Sequence, residues 1–118
     1  MKNFVKNEST SKSNFIHVYS GISKDDLDKK IDKLFLSSGY KMKQGQIGNA
    51  SYVKGNRALR ILFGAFVKYF KFNIVTTLNS DEVKVEVKKD TSGMSGGLIG
   101  VSQVNKELKQ LAQLLQTI

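Results

Sequence analysis

The hydrophobic positions along the chain follow two different periods, and the changes of period mark the predicted elements. Apolar and polar residues alternate, as in half-buried strands, over five segments: 14–20, 40–47, 50–54, 68–78 and 82–89. Apolar residues recur at steps of three and four, as on one face of a helix, over three segments: 24–38, 58–70 and 101–118. Turn-forming residues separate the strands at 48–49 and 79–81.

The order of these segments is β-α-β-β-(α)-β-β-α, with the central helix in brackets. Because the connections between strands are short, neighbouring strands are expected to pair antiparallel. We therefore predict an α+β fold, a two-layer sandwich in which an antiparallel sheet of about five strands carries the helices on one face. The 118 residues are enough for one domain and too few for two. We assign residues 14–118 to that domain and residues 1–13, which are mostly polar, to a flexible tail.

The first predicted helix has clear start and stop signals. Ser23 is a good N-cap, Asp26 follows three residues later, and Gly39 is the expected terminator. Four aspartates lie in this helix: Asp25, Asp26, Asp28 and Asp32. Helix capping and pairing with lysines four residues away account for these carboxylates, so we assign no metal site.

The central segment, residues 57–71, combines cations with bulky apolar residues. On a helical wheel the cations form a narrow basic stripe and nearly all other positions are apolar. The cations are Arg57, Arg60, Lys68 and Lys71, and the large apolar residues include Leu59, Leu62, Phe63 and Phe66. The alternative is one long strand beginning at Ile61, because the segment is rich in aromatic and β-branched residues.

The net charge of +9 is concentrated in the same part of the chain. Residues 33–80 contain eight basic residues and no Asp or Glu, whereas the segments before and after them are close to neutral. A local excess of this size indicates an anionic partner or surface. A composition that is generally rich in lysine explains the total charge, although it does not explain the absence of acids.

Catalytic signatures are absent from the sequence. There is no cysteine, and His17, the single histidine, is expected to be structural or exposed. The glycine-rich segment 91–102 lacks the Lys-Ser/Thr pair of a phosphate-binding loop and the spacing of the dinucleotide fingerprint. We therefore predict no enzyme activity, no cofactor and no metal.

These features predict a binding or interaction domain that uses residues 57–71 to dock on an anionic membrane surface or a partner protein. One alternative is nucleic-acid binding through the acid-free residues 33–80, with Lys41, Lys43, Lys54, Arg57 and Arg60 as contacts. The other alternative is a small domain with a ligand cavity or a homodimer interface and no anionic partner, in which the apolar residues complete the core. Exposure of the apolar residues in 59–66 separates these hypotheses.

The expected location is cytoplasmic, including the membrane periphery. The first residues lack the apolar region of a signal peptide. The longest apolar run, residues 61–67, is far shorter than the roughly 20 residues that a spanning helix needs.

Overall fold

The computed structural model describes the backbone of residues 3–11, 13–55, 69–90 and 97–118, and their side chains except at 55, 69 and 97–104. These ranges contain six strands and two helices. In chain order they are β1 (Phe4–Thr10), β2 (Asn14–Ser20), α1 (Lys24–Ser37), β3 (Lys41–Gln46), β4 (Asn49–Gly55), β5 (Tyr69–Asn79), β6 (Glu82–Lys89) and α2 (Gly97–Leu115). The predicted central helix lies outside the described residues, except that its last two positions, Tyr69 and Phe70, belong to β5.

The strands form one sheet in the order β1-β2-β6-β5-β4-β3, and every neighbouring pair is antiparallel. The predicted α+β class and antiparallel pairing are confirmed, with six strands instead of about five. The additional strand, β1, comes from the residues that we predicted to be a polar tail. Its sequence gives no strand signal because only Phe4 of its side chains packs against the core, while the others are exposed on an edge strand.

The core lies on one face of the sheet, where the strand register aligns buried residues of neighbouring strands. Phe15 on β2 faces Val87 on β6, and Val87 in turn faces Ile74 on β5. The inward positions predicted for β6, Val83, Val85 and Val87, are confirmed as buried. The predicted face of β5 is buried at Phe70, Phe72, Ile74 and Thr76, whereas Leu78, on the same face next to the turn, is 61 % exposed. Both helices contribute to the same hydrophobic cluster, through Leu27, Ile31 and Phe35 of α1 and Leu108, Leu111 and Leu115 of α2.

The local signals around α1 are confirmed. The Oγ of Ser23 accepts a hydrogen bond of 3.1 Å from the backbone N–H of Asp26, as expected of an N-cap. Gly39 follows the helix with φ +94°, a conformation that L-residues with side chains rarely adopt. The first hairpin turn lies at residues 47–48, one residue earlier than predicted, and the second lies at Ser80 and Asp81.

Candidate functional site

Two connections begin at the same end of the sheet. Gly55, the last residue of β4, pairs with Tyr69, the first residue of β5, so residues 56–68 leave and rejoin the sheet at one place. Asp90, which follows β6, donates its backbone N–H to the carbonyl of Lys71 at 2.9 Å. Residues 91–96 therefore begin beside the same point. We call this end of the sheet, where β4 and β6 end and β5 begins, the basic end.

Helix α2 runs along the strands and approaches the basic end with its N-terminal half. Near this end the Nζ of Lys89 donates to Oδ1 of Asn105 at 3.1 Å. Toward the other end the hydroxyl of Tyr19 donates to the carbonyl of Leu115 at 2.6 Å. The helix contains eight residues before Asn105 and rises 1.5 Å per residue, so it continues about 12 Å past the contact with Lys89. The sequence of those eight residues, GLIGVSQV, carries no charged residue.

The strand register separates the charges along the sheet. Five lysines lie at or beside the basic end: Lys41, Lys54, Lys71, Lys88 and Lys89. Five acids lie in the opposite direction, in the first turns of α1 and at the β5–β6 turn: Asp25, Asp26, Asp28, Asp81 and Glu82.

The distance between these lysines and these five acids is greater than the Debye length, so their interaction through solvent is largely screened. Asp28 contacts β5 at Thr76, five residues from Lys71, and the turn that holds Asp81 begins after Asn79, eight residues from Lys71. At about 3.3 Å per residue these separations along the strand are about 17 and 26 Å. The Debye length at physiological salt is about 8 Å. These five acids therefore do little to offset the positive potential at the basic end, where the described acids are Asp90, paired with Lys71, and Glu107, paired with Lys54.

The predicted basic stripe is only partly described. Arg57, Arg60 and Lys68 lie outside the described residues, as do the four apolar docking residues, Leu59, Leu62, Phe63 and Phe66. Lys71 lies in strand β5 and not in a helix, which corrects its assignment to a helical stripe. Its side chain is 12 % exposed, and its Nζ lies 3.2 Å from Oδ2 of Asp90. This ion pair occupies the Lys71 ammonium and fixes the junction between β5 and β6, so Lys71 is not a free docking cation.

Lys54 is also paired. Its Nζ lies 3.6 Å from Oε2 of Glu107 on α2 and 5.5 Å from the centre of the Tyr40 ring. The Tyr40 hydroxyl donates to the same Glu107 oxygen at 2.5 Å. Burial, with Glu107 beside it, raises the pKa of Tyr40 well above its usual range, so the hydroxyl stays a donor. This group joins α2 to the sheet near the basic end.

Two other lysines from the nucleic-acid hypothesis are accessible. Lys41 and Lys43 lie on the edge strand β3 and their side chains are exposed. Neither forms an ion pair with any residue that the structure describes. They are therefore free to contact an external anion.

The aspartates of α1 have partners that the sequence did not reveal. Asp28 is buried, and its two carboxylate oxygens accept from the Thr76 hydroxyl at 2.6 Å and from the Lys24 ammonium at 2.8 Å. Asp32 accepts a hydrogen bond of 2.6 Å from the hydroxyl of Tyr52. The ion pair of Lys24 with Asp28 agrees with the predicted i,i+4 pairing, but both carboxylates also join the helix to the sheet. The sequence signal that could have indicated these contacts is the presence of hydroxyl groups, on Thr76 and Tyr52, at inward positions of the strands.

Metal ligands are not brought together in the described ranges. Across residues 3–11, 13–55, 69–90 and 97–118, no group of three or more His, Cys, Asp or Glu side chains could hold a metal ion. Asp28 and Asp32, which sit on neighbouring turns of α1, are instead engaged by donors from the sheet.

His17 is buried in an aromatic cluster. Its ring lies 4.9 Å from that of Phe4 and 4.6 Å from that of Phe15, measured between centroids. Its Nδ1 lies 3.5 Å from the Tyr19 hydroxyl oxygen, and its Nε2 has no hydrogen-bond partner among the residues that the structure describes. Burial lowers the pKa of His17 to about 4, because the charged imidazolium would lose its hydration. His17 is thus a neutral core residue, consistent with the predicted structural role.

Comparisons with known proteins identify no relative. No protein-family model, no curated protein and no solved structure matches the chain. In the part of the chain that the structure describes, no helix has the length and hydropathy needed to cross a bilayer.

Proposed function

We propose that this protein is a non-enzymatic binding domain whose basic end docks on an anionic membrane surface through residues 57–71. The observation that carries the proposal is the placement of charge on the fold. The connection that holds Arg57, Arg60 and Lys68 joins the sheet at the end where five lysines lie. Two described acids, Asp90 and Glu107, pair with lysines there, and five others lie about 17 Å or more away along the sheet. Such a polarised molecule presents one end to an anionic surface.

The apolar residues of the same connection supply the second part of the interaction. Leu59, Leu62, Phe63 and Phe66 lie between Arg57 and Lys68 in sequence, and the uncharged start of α2 extends toward the same end. An interfacial segment of this composition places large apolar side chains among the acyl chains and its cations among the head groups.

These contributions are sufficient for reversible binding. Each cation near an anionic surface contributes roughly 1 kcal/mol, so Arg57, Arg60 and Lys68 together contribute about 3 kcal/mol. Lys71 is not counted, because Asp90 already neutralises it. Burial of two large apolar side chains adds about 1.5–3 kcal/mol each. The sum, about 6–9 kcal/mol, corresponds to dissociation constants near the micromolar range.

Nucleic-acid binding is the second candidate. The observation that favours it is that Lys41 and Lys43 are exposed and form no ion pair with any described residue. Against it, Lys54 is held by Glu107. The aromatic residues of 57–71 also lie among aliphatic residues and do not alternate with the cations as stacking platforms would. We therefore place the membrane surface first.

Cosedimentation with vesicles tests the proposal. Phosphatidylcholine vesicles with and without phosphatidylserine are compared at physiological salt, with duplex DNA measured in parallel. We expect binding to the vesicles that contain phosphatidylserine, little binding to neutral vesicles, and weak DNA binding without sequence preference. No difference between the two vesicle compositions would overturn the proposal.

The same experiment distinguishes the alternatives. DNA binding through five phosphate contacts would lose affinity with a log–log salt slope of about −4.5. DNA binding tighter than vesicle binding, with that slope, would assign the basic end to nucleic acid. A protein that ignores both ligands and unfolds when Phe63 is replaced by Ser would place the apolar residues in the core or in a homodimer contact.

A further inference from the structure

A groove of about 440 Å³ lies between α2 and the end of the β1–β2 hairpin. Its floor is apolar and consists of Phe15, Leu108 and Ala112, of which Phe15 and Leu108 are buried. Its rim is polar and consists of Thr10, Ser11, Asn14, Asn105 and Lys109. The volume is within the range of small-molecule sites, about 300–1,000 Å³.

The polar groups on the hairpin side of the rim are already engaged. The Thr10 hydroxyl donates to Oδ1 of Asn7 at 2.9 Å. The Ser11 hydroxyl donates to Oδ1 of Asn14 at 2.6 Å and accepts from the backbone N–H groups of Ser13 and Asn14 at 3.1 Å. The Asn14 amide donates to Oε2 of Glu86 at 2.6 Å. These bonds hold the hairpin in shape, so this side gives the groove a fixed wall.

The helix side of the rim offers two donors. The Oδ1 of Asn105 accepts from Lys89, which leaves the Asn105 amide N–H groups as the free part of that side chain. Lys109, one helical turn further on, is exposed and forms no ion pair with any residue in the described ranges. No carboxylate is among the described residues that line the groove. The rim is therefore suited to a head group that is anionic and only accepts hydrogen bonds.

The length and apolar character of the groove indicate which group is attached to the anionic head group of the ligand. The lining residues of α2 run from Asn105 to Ala112, about 10 Å along the helix axis. Leu108 and Ala112, the apolar lining residues of the helix, are about 6 Å apart along its axis, and Phe15 completes the apolar floor. Such a floor suits an unbranched hydrocarbon chain and gains little from a short hydrophilic anion.

We propose that this groove binds a linear alkyl carboxylate, a free fatty acid of medium length. The carboxylate receives hydrogen bonds from the Lys109 ammonium and the Asn105 amide, and the alkyl chain lies on Phe15, Leu108 and Ala112. None of the described residues that line the groove belongs to 57–71, the segment proposed to dock on the membrane.

Titration of the isotope-labelled protein with decanoate, followed by NMR, tests this site. Decanoate is kept below its micelle concentration, and acetate and decanol serve as ligands that lack the chain or the charge. We expect saturable shifts at Phe15, Leu108 and Ala112 with decanoate alone. Absence of saturation, or equal binding of decanol, would overturn the proposal.

Variants on α2 distinguish specific binding of decanoate in the groove from non-specific attraction of the carboxylate to surface lysines. Lys109→Ala should weaken decanoate binding about tenfold, the effect of losing one charge-assisted hydrogen bond. Lys106→Ala is the matched control, because Lys106 is exposed on the same helix and does not line the groove. Equal losses in the two variants would contradict the site. Ala112→Phe should block the groove while the protein remains folded by thermal denaturation; full binding by a folded Ala112→Phe variant would also contradict it.

A variant that carries both Arg57→Glu and Arg60→Glu distinguishes the proposed membrane docking from the proposed fatty-acid site. We expect it to bind decanoate as the unchanged protein does, whatever its effect on vesicle binding. Loss of decanoate binding in that variant would show that the carboxylate is held by the arginines of 57–71 and not by Lys109 and Asn105, which would overturn the proposal.

Discussion

The hydroxyl of Thr76 on β5 donates a hydrogen bond of 2.6 Å to Oδ1 of the buried Asp28 on α1. The same hydroxyl lies 3.2 Å from the carbonyl oxygen of Gly48, and the backbone N–H of Thr76 donates to that oxygen at 2.9 Å. One inward threonine thus connects the first helix, the β3–β4 turn and a central strand.

The first prediction concerns this contact. Thr76→Val keeps the shape of the side chain and removes the donor, which leaves one oxygen of the buried Asp28 without its partner. We expect a loss of about 1–3 kcal/mol in the free energy of unfolding. Thr77→Val is the matched control, because Thr77 is the next residue of β5 and is exposed. Urea denaturation measures both, and similar midpoints for the two variants would contradict a structural role for the Thr76 hydroxyl.

The second prediction concerns the turn below Asp28. Gly48 has φ +93°, and a Cβ at this position would lie 2.5 Å from Oδ2 of Asp28. Gly39 has nearly the same φ, +94°, but a Cβ there would meet only the flexible end of Lys54 at 3.4 Å. Both Gly→Ala variants introduce strain of about 1–2 kcal/mol from the left-handed backbone. We expect Gly48→Ala to lose more stability than Gly39→Ala, and equal losses in urea denaturation would show that Asp28 moves aside freely.

The third prediction concerns pH. In the folded protein the pKa of His17 is lowered from 6.5 to about 4, so the unfolded chain binds the extra proton first as pH falls. Its contribution to stability is therefore complete above pH 6.5 and is lost progressively between pH 6.5 and 4. His17→Leu removes this titration and the unpartnered Nε2 together.

We expect the urea midpoint of His17→Leu to change less between pH 7 and pH 5 than that of the unchanged protein. The carboxylates contribute equally to both proteins, so the difference between the two pH dependences isolates His17. Identical pH dependences would mean that His17 is protonated in the folded state or is accessible to water.

The fourth prediction concerns β1. Phe4 packs against His17 and Tyr19, and the backbone N–H groups of Asn3 and Phe4 donate to the carbonyl of Ile118 at 2.8 and 3.0 Å. Because its side chain is partly buried, Phe4→Ala should cost about 1–3 kcal/mol, less than the 3–5 kcal/mol of a fully buried phenylalanine. Val5→Ala, at a side chain that is 45 % exposed, is the control. Thermal denaturation measures the stability of both variants. Equal losses of stability would contradict the packing of β1 and favour the predicted flexible tail.

The parts of this fold that were predictable are those encoded by neighbouring residues. The N-cap at Ser23, the end of α1 at Gly39 and the alternation of β6 depend on sequence separations of a few positions, and the structure confirms them. Strand β1 was not predictable, because an edge strand with a single inward residue has no period to detect. Its pairing depends on β2 and on the carbonyl of Ile118.

The candidate site was less predictable for the same reason. The cations of 57–71 could be identified from composition, but the pairing of Lys71 with Asp90 depends on the alignment of β5 with β6. The engagement of Lys54 by Glu107 likewise depends on how α2 packs against the sheet. Composition indicates where positive charge is encoded, and only tertiary structure shows which part of it is already neutralised.

The most direct test of the proposed function is a charge reversal at two places on the same fold. Arg57→Glu with Arg60→Glu reverses two cations in the connection at the basic end. Lys29→Glu with Lys30→Glu makes the same change in net charge at exposed positions of α1. Cosedimentation with phosphatidylserine vesicles compares the two, after thermal denaturation has shown both to be folded. We predict that the first variant loses binding and that the second retains most of it; equal binding by the two variants would contradict docking through the basic end.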